Sequence, residues 1–163
     1  MSDIEFILIP KEEWQKNIDD VIAVRASAYE QWNGPMTSEQ RNQEAINWLG
    51  KWTGHKNPLL LVAKNENTIV AFIKADEREE GEYFIAWIGV RQDFKRQGIG
   101  LSLIRKCEEI AKGYGCSVLT TTTYNRFKGI LILLILEGFY IQGPIWVQGS
   151  SEPRLYLRKE LKA

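Results

Sequence analysis

Three apolar runs in quick succession constrain this chain most: Leu59–Lys64 (LLLVAK), Thr68–Asp76 (TIVAFIKAD) and Tyr83–Val90 (YFIAWIGV). Only the short polar turns Asn65–Asn67 and Arg78–Gly81 separate them. Runs this short, rich in branched and aromatic residues, read as strands. Their hydrophobicity is continuous rather than alternating, so both faces of each strand must be covered. Helices packed on the sheet therefore have to come from the rest of the sequence.

The flanking patterns supply them. Ile4–Ile9 (IEFILI) predicts a short buried strand, and Pro10 follows where a helix can begin without losing a needed N–H. Trp14, Ile18, Val21, Ile22, Arg25, Ala28, Tyr29 and Trp32 recur at helical spacing until Gly34-Pro35 ends the pattern. Thr37 and Gln40 form a capping box that opens a second helix, with the stripe Ala45, Ile46, Leu49 and Trp52 and a stop at Gly54. Gly98–Lys112 predicts a third helix that buries Leu103, Ile104, Cys107, Ile110 and Ala111. Cys116–Thr123 reads as a strand. Arg126–Glu137 has strand-like propensity, but its length and the following Gly138 favour a helix buried on most sides. Tyr140–Val147 and Arg154–Leu161 complete the chain as strands. The order is β-α-α-β-β-β-α-β-α-β-β, an α/β (α+β) layout with a mixed sheet.

Length and charge narrow the function. The 163 residues suit one domain, 1–163, large enough to bury a core without staples. Lys and Arg total 21 and Asp and Glu total 21, so the basic excess of a general nucleic-acid binder is missing. An apolar content of 44% argues against disorder. Cys107 and Cys116 are too few for a disulfide framework. His55, the one histidine and expected at the surface, leaves little material for a zinc site or a Ser-His-Asp triad. The first residues lack a basic leader region, and the longest apolar run, Ile130–Leu136, is far below the roughly 18 residues of a membrane span. A cytoplasmic protein with no membrane partner is expected.

The chemistry concentrates in Ile88–Leu103 (IGVRQDFKRQGIGLSL). A strand ends near Val90, a polar loop follows, and Gly98-Ile99-Gly100 opens a helix. Glycines there let a ligand approach the backbone, and the first N–H groups of a helix sit unpaired at its positive end. Together they suit phosphate, with Lys95 and Arg96 adding charge beside them. The competing explanation is tight helix–sheet packing. The P-loop pattern is absent, and a dinucleotide-binding turn fails because its third glycine position is Leu103.

This segment resembles the acetyl-CoA-binding motif of the GNAT superfamily of N-acetyltransferases, with Ile88, Val90, Phe94, Gly98 and Gly100 in register. Lys95 stands at the family's Gln/Arg position and Gln92 at its usual proline; Gly138-Phe139 matches the ending of the next helix. The resemblance spans essentially the whole chain. It implies a mixed, mostly antiparallel sheet of about seven strands flanked by about four helices. It also implies an acyl-CoA-dependent N-acetyltransferase that moves an acetyl group to a small-molecule or peptide amine by direct attack. An acyl-CoA-binding sensor without transfer is the alternative. Similar proteins also pair a terminal strand across homodimers.

The resemblance further implies residue roles. The pantetheine arm would lie between the strand ending at Val90 and the strand Cys116–Thr123, pairing with Ile88, Gly89 and Val90. The pyrophosphate would sit among Lys95, Arg96, Gln97, Gly98, Ile99, Gly100, Leu101 and Ser102. Asn125 would bond the cofactor or cap the following helix. Glu30 and Trp32, near the loop ending the first helix, would shape the acceptor pocket. The family's acid, a tyrosine, is replaced by Leu134, and its glutamate base by Phe84. Glu82, on the same face as Phe84 by alternation, is the candidate base acting through water, with Glu30 second; Tyr124 or Tyr140 is the candidate acid.

Overall fold

The computed structural model describes residues 3–52 and 55–162, the backbone alone at 51 and 52. In chain order its elements are β1 (Ile4–Leu8), α1 (Trp14–Asn33), α2 (Ser38–Trp52), β2 (Lys56–Asn65), β3 (Thr68–Glu79) and β4 (Glu82–Val90). Then come α3 (Ile99–Gly113), β5 (Val118–Thr123), α4 (Lys128–Leu136), β6 (Tyr140–Ile145) and β7 (Arg154–Glu160). Short 3-10 turns at Lys11–Glu13 and Gln92–Phe94 lead toward α1 and α3. The strands form one sheet in the order β1-β2-β3-β4-β5-β7-β6, antiparallel throughout except for the β4–β5 pair. Element types and order are as expected from the sequence.

Alternation explains the unbroken apolar runs. Along β2, Leu59, Leu61 and Ala63 enter a core shared with Leu103, Ile104 and Cys107 of α3. Leu60 and Val62 enter a second core with Trp14, Val21 and Ile22 of α1 and Trp48 of α2. The central strands are thus sandwiched, as continuous hydrophobicity requires. The Thr37–Gln40 capping box forms reciprocally: the Thr37 N–H donates to the Gln40 side chain at 2.8 Å, and the Gln40 N–H to the Thr37 hydroxyl at 3.2 Å.

Four expectations need correction. β1 is a sheet-edge strand, only half-buried, because it pairs on one side alone. On α2, Trp48 rather than Ile46 faces the core; Ile46 is 65% exposed. The proposed stop at Gly54 and the side chain of Trp52 lie outside the described residues. α4 is a helix, but Leu131 and Leu134 are its fully buried residues, while Ile132, Ile135 and Leu136 are exposed. Only one face of a helix packed against the body of the protein can reach the core. His55 is part-buried, its Nδ1 lying 3.1 Å from the fully buried Asp76.

The feature that makes a site is a break in the sheet. β4 pairs with β5 only from Glu82 to Ile85, opposite Val118 to Thr121. The Thr121 hydroxyl ties the last pair by donating to the Ile85 carbonyl at 2.9 Å. Beyond it, Ala86 is skipped in the register with β3, a bulge that re-aims the strand. From Trp87 to Val90, β4 stays on β3 and leaves its other edge free of β5.

Gly89 is held there by packing. A Cβ at this position would lie 2.9 Å from the ring of the fully buried Phe72. Gly89→Ala is therefore expected to destabilise the fold by about 1–3 kcal/mol, the usual cost of overpacking. Urea denaturation would measure it, and Phe72→Leu in the same chain should recover part of the loss.

Candidate functional site

The free edge of β4 opens into a groove of about 800 Å³ between α1, α3 and α4. Ile88, Gly89 and Val90 form one wall; Lys95, Arg96, Gly98, Ile99, Gly100 and Leu101 form its end. Trp32 borders it from α1, and Phe127, Ile130 and Leu133 close the side toward α4. Most residues singled out in the sequence are thereby brought together.

Backbone polarity suits an extended ligand along β4. The Arg91 N–H donates to the Val70 carbonyl at 2.8 Å, so residues of its parity bond toward β3. Ile88 and Val90 accordingly turn their polar backbone groups toward the groove. The Ile88 carbonyl already accepts a hydrogen bond there from the Tyr29 hydroxyl, at 2.7 Å. Burial pushes that phenol up to about 12, keeping it a donor at neutral pH.

The end of the groove is a cradle of backbone N–H groups. The first bond of the α3 ladder runs from the Ser102 N–H to the Gly98 carbonyl at 3.0 Å. The N–H groups of Ile99, Gly100 and Leu101 precede it, outside the ladder. Gly98 caps the helix in the left-handed region (φ 80°), and Arg96 has φ 63°. This local conformation turns successive N–H groups toward one concavity. A Cβ on Gly98 would meet nothing within 4 Å, and one on Gly100 would make only ordinary contacts with Leu133 and Val90. Packing within the protein thus does not require glycine at 100, whereas a ligand lying against the backbone does. The residues present fit a phosphate-bearing ligand with an extended arm along β4.

Several predicted residues are placed differently. Lys95 does not extend free charge into the cradle: its ammonium donates to the Ala28 carbonyl at 2.8 Å and lies 5.3 Å from the Trp32 ring centre. Burial lowers its pKa. Gln97 is exposed beside the groove, and the Ser102 N–H is committed to the helix. Asn125 is exposed and does not cap α4, whose N-cap is Phe127. Glu30 points outward from α1, its carbonyl receiving the Gly34 N–H at 2.8 Å. Glu82 and Tyr124 lie outside the groove lining. The Glu82 carboxylate accepts hydrogen bonds from the Tyr156 hydroxyl at 2.7 Å and the Thr120 hydroxyl at 3.0 Å. Burial and this bond raise the Tyr156 pKa. The Tyr124 hydroxyl accepts from Arg154 at 3.4 Å. Tyr140 is exposed on β6.

Tyr29 and Phe127 are functional candidates that sequence reasoning missed. Their rings lie 5.1 Å apart, and Tyr29 also meets Trp87 edge-on at 5.6 Å. In the sequence Tyr29 is one more apolar position of a helical stripe, and nothing local points to its partner 59 residues away.

A seven-stranded mixed sheet, splayed at β4 beside a glycine-opened helix, is the fold of the GNAT acetyltransferases. The family model described as "Acetyltransferase (GNAT) family" matches residues 21–128, and the chain belongs to that family. Among solved structures, it is similar to PaiA N-acetyltransferase from Thermoplasma acidophilum in complex with coenzyme A. That likeness has 14% identity and a TM-score of 0.73, covering 97% of this chain and 99% of the other. IAA acetyltransferase from Bacillus cereus ATCC 14579 is 24% identical, with a TM-score of 0.65 and coverage of 98% and 100%. Ard1 from Thermoplasma volcanium is 14% identical, with a TM-score of 0.74 and coverage of 98% and 99%. At these identities the likenesses establish the fold alone. A search of curated proteins finds no match.

Proposed function

We propose that this protein is an acyl-CoA-dependent N-acetyltransferase that moves the acetyl group of acetyl-CoA to a primary amine. The observation that carries this reading is the free edge of β4 running into the N–H cradle of α3. The pantetheine amides would pair with the polar backbone of Ile88 and Val90, and the pyrophosphate would rest on the N–H groups from Ile99 to Leu101. A relative of the same fold, PaiA N-acetyltransferase, was solved with coenzyme A, which supports a coenzyme in this groove.

Chemistry follows by direct attack. The neutral amine nitrogen bonds to the thioester carbonyl carbon and then loses a proton. The carbon–sulfur bond breaks, and the thiolate leaves to be protonated. No acyl-enzyme is required, and the cysteines suit none: Cys107 and Cys116 are buried, outside the groove lining, and burial raises both thiol pKa values. Glu82 is the proposed base, acting through water. Tyr124 is the proposed acid, with Asn125 and Ser102 as further cofactor contacts and Glu30 and Trp32 on the acceptor side. We place the protein in the cytoplasm as one domain. Any homodimer would use the edge strand β6, which exposes Tyr140, Ile141 and Ile145. Among the described residues no helix is long and apolar enough to cross a membrane.

Thiol release from acetyl-CoA with a panel of primary amines tests the proposal. Amine-dependent release with the acetylated amine recovered is the expected result. Acetyl-CoA binding without release to any amine would instead favour a sensor.

A further inference from the structure

We propose that a second cavity, between α1 and α2, receives the acyl acceptor, and that this acceptor is a small amine carrying a carboxylate seated on Arg25. This inference rests on the acyl-transfer reading above. The cavity measures about 330 Å³ and is lined by Arg25 and Tyr29 of α1, Met36 of the connecting loop, and Gln40 and Glu44 of α2. Its volume lies at the small-molecule end of binding sites.

Two observations connect it to the reaction. Tyr29 lines both this cavity and the acyl-CoA groove, so one side chain forms the shared wall. Its hydroxyl sits on the Ile88 carbonyl, at the edge of β4 assigned to pantetheine. The small cavity therefore adjoins the groove at Tyr29, and an acceptor amine would pass beside that ring to meet the thioester. Arg25 and Tyr29 are four residues apart on one helix, a spacing of about 5–6 Å between Cβ atoms. A short acceptor anchored by its carboxylate at Arg25 thus presents its amine toward Tyr29.

The state of Arg25 supplies the chemistry. Among the described lining residues it is the one cation, facing one anion, Glu44. Its side chain is only 15% exposed, and its guanidinium lies 4.3 Å over the Trp87 ring. Its pairing is incomplete. Nη1 stands 3.4 Å from the Glu44 carboxylate and 3.8 Å from the Met36 sulfur, and Nε has no hydrogen-bond partner. A direct charge-assisted bond would be about 2.7–2.9 Å long. A guanidinium largely stripped of water and paired only loosely is unfavourable, and a carboxylate offered to Nη1 from the cavity would supply a closer anion than Glu44. In the free protein Glu44 is the loose surrogate that the acceptor displaces.

The experiment compares acetyl transfer to amino acids and to their methyl esters, in the parent and in three variants. The parent should prefer the free acids by at least about 30-fold in kcat/KM, the worth of a charged hydrogen-bond pair. Arg25→Gln should raise KM for the acids by a similar factor, leaving the esters and acetyl-CoA affinity within threefold. Arg25→Lys should recover part of the preference. Glu44→Gln should lower KM for the acids several-fold, a change opposite in sign to damage of the fold; it decides the matter if Arg25→Gln fails to fold. Equal use of acid and ester by the parent overturns the inference, as does an Arg25→Gln loss common to both. Those outcomes leave acyl transfer itself intact. Absence of acetyl-CoA binding by calorimetry, or of thiol release with every amine, removes both readings.

Discussion

Replacing Gly100 by valine is expected to weaken acetyl-CoA binding by more than about 100-fold, because the anion loses several charge-assisted N–H contacts at once. The fold should persist, since a Cβ at this position meets Leu133 and Val90 at 3.5 and 3.6 Å, ordinary contacts. The branched methyls beyond it are expected to crowd the unpaired N–H groups and hold a phosphate away from them. Gly100→Ala, adding one methyl, should show a much smaller loss. Calorimetric titration with acetyl-CoA, alongside thermal melting of each variant, measures both effects. Unchanged affinity in a folded Gly100→Val protein would show that phosphate does not bind at this helix start. Gly98 is a poorer probe, because its left-handed backbone (φ 80°) strains any side chain whatever the ligand does.

The second large effect concerns proton removal from the acceptor. An alkylamine with a pKa near about 10.4 is almost wholly protonated at pH 7, so a base must act before attack. Glu82→Gln should slow transfer at neutral pH by about 10²-fold, the lower range for acid–base catalysis. The deficit should shrink as pH rises toward the amine's own pKa, where free amine no longer needs the base. Ile88 lies six positions beyond Glu82, about 20 Å along a strand, so a chain of waters would have to carry the proton. Tyr156 and Thr120, both bonded to the carboxylate, would hold its near end. Rates of Glu82→Gln that match the parent across the whole pH range would remove Glu82 from the mechanism.

These tests differ in how far their residues announced themselves. The glycine-opened helix was legible because every part is local: a strand end, a polar loop, two glycines and an apolar stripe within sixteen residues, Ile88–Leu103. Conformational freedom at Gly98 and free N–H groups at a helix start need no distant partner to be recognised. Glu82 was legible only in part. Alternation shows which face it shares with Phe84, yet its binding to Tyr156 joins residues 74 apart.

Local patterning by itself determined the identity and order of the elements, the two-sided burial of β2 to β4, and the capping box at Thr37. Periodicity, branching and capping act over a few residues and leave their mark in the string. The tertiary structure alone decided where the sheet parts, because the bulge at Ala86 and the short β4–β5 pairing depend on register between strands. It decided that α4 exposes Ile132, Ile135 and Leu136, since a helix's hydrophobicity does not tell how many of its sides find neighbours. It decided, too, that Arg25 and Tyr29, positions in an ordinary helical stripe, meet Trp87 and Ile88, and that Tyr29 lines two cavities at once. Such contacts arise when packing brings together side chains about sixty residues apart, and no local propensity encodes them.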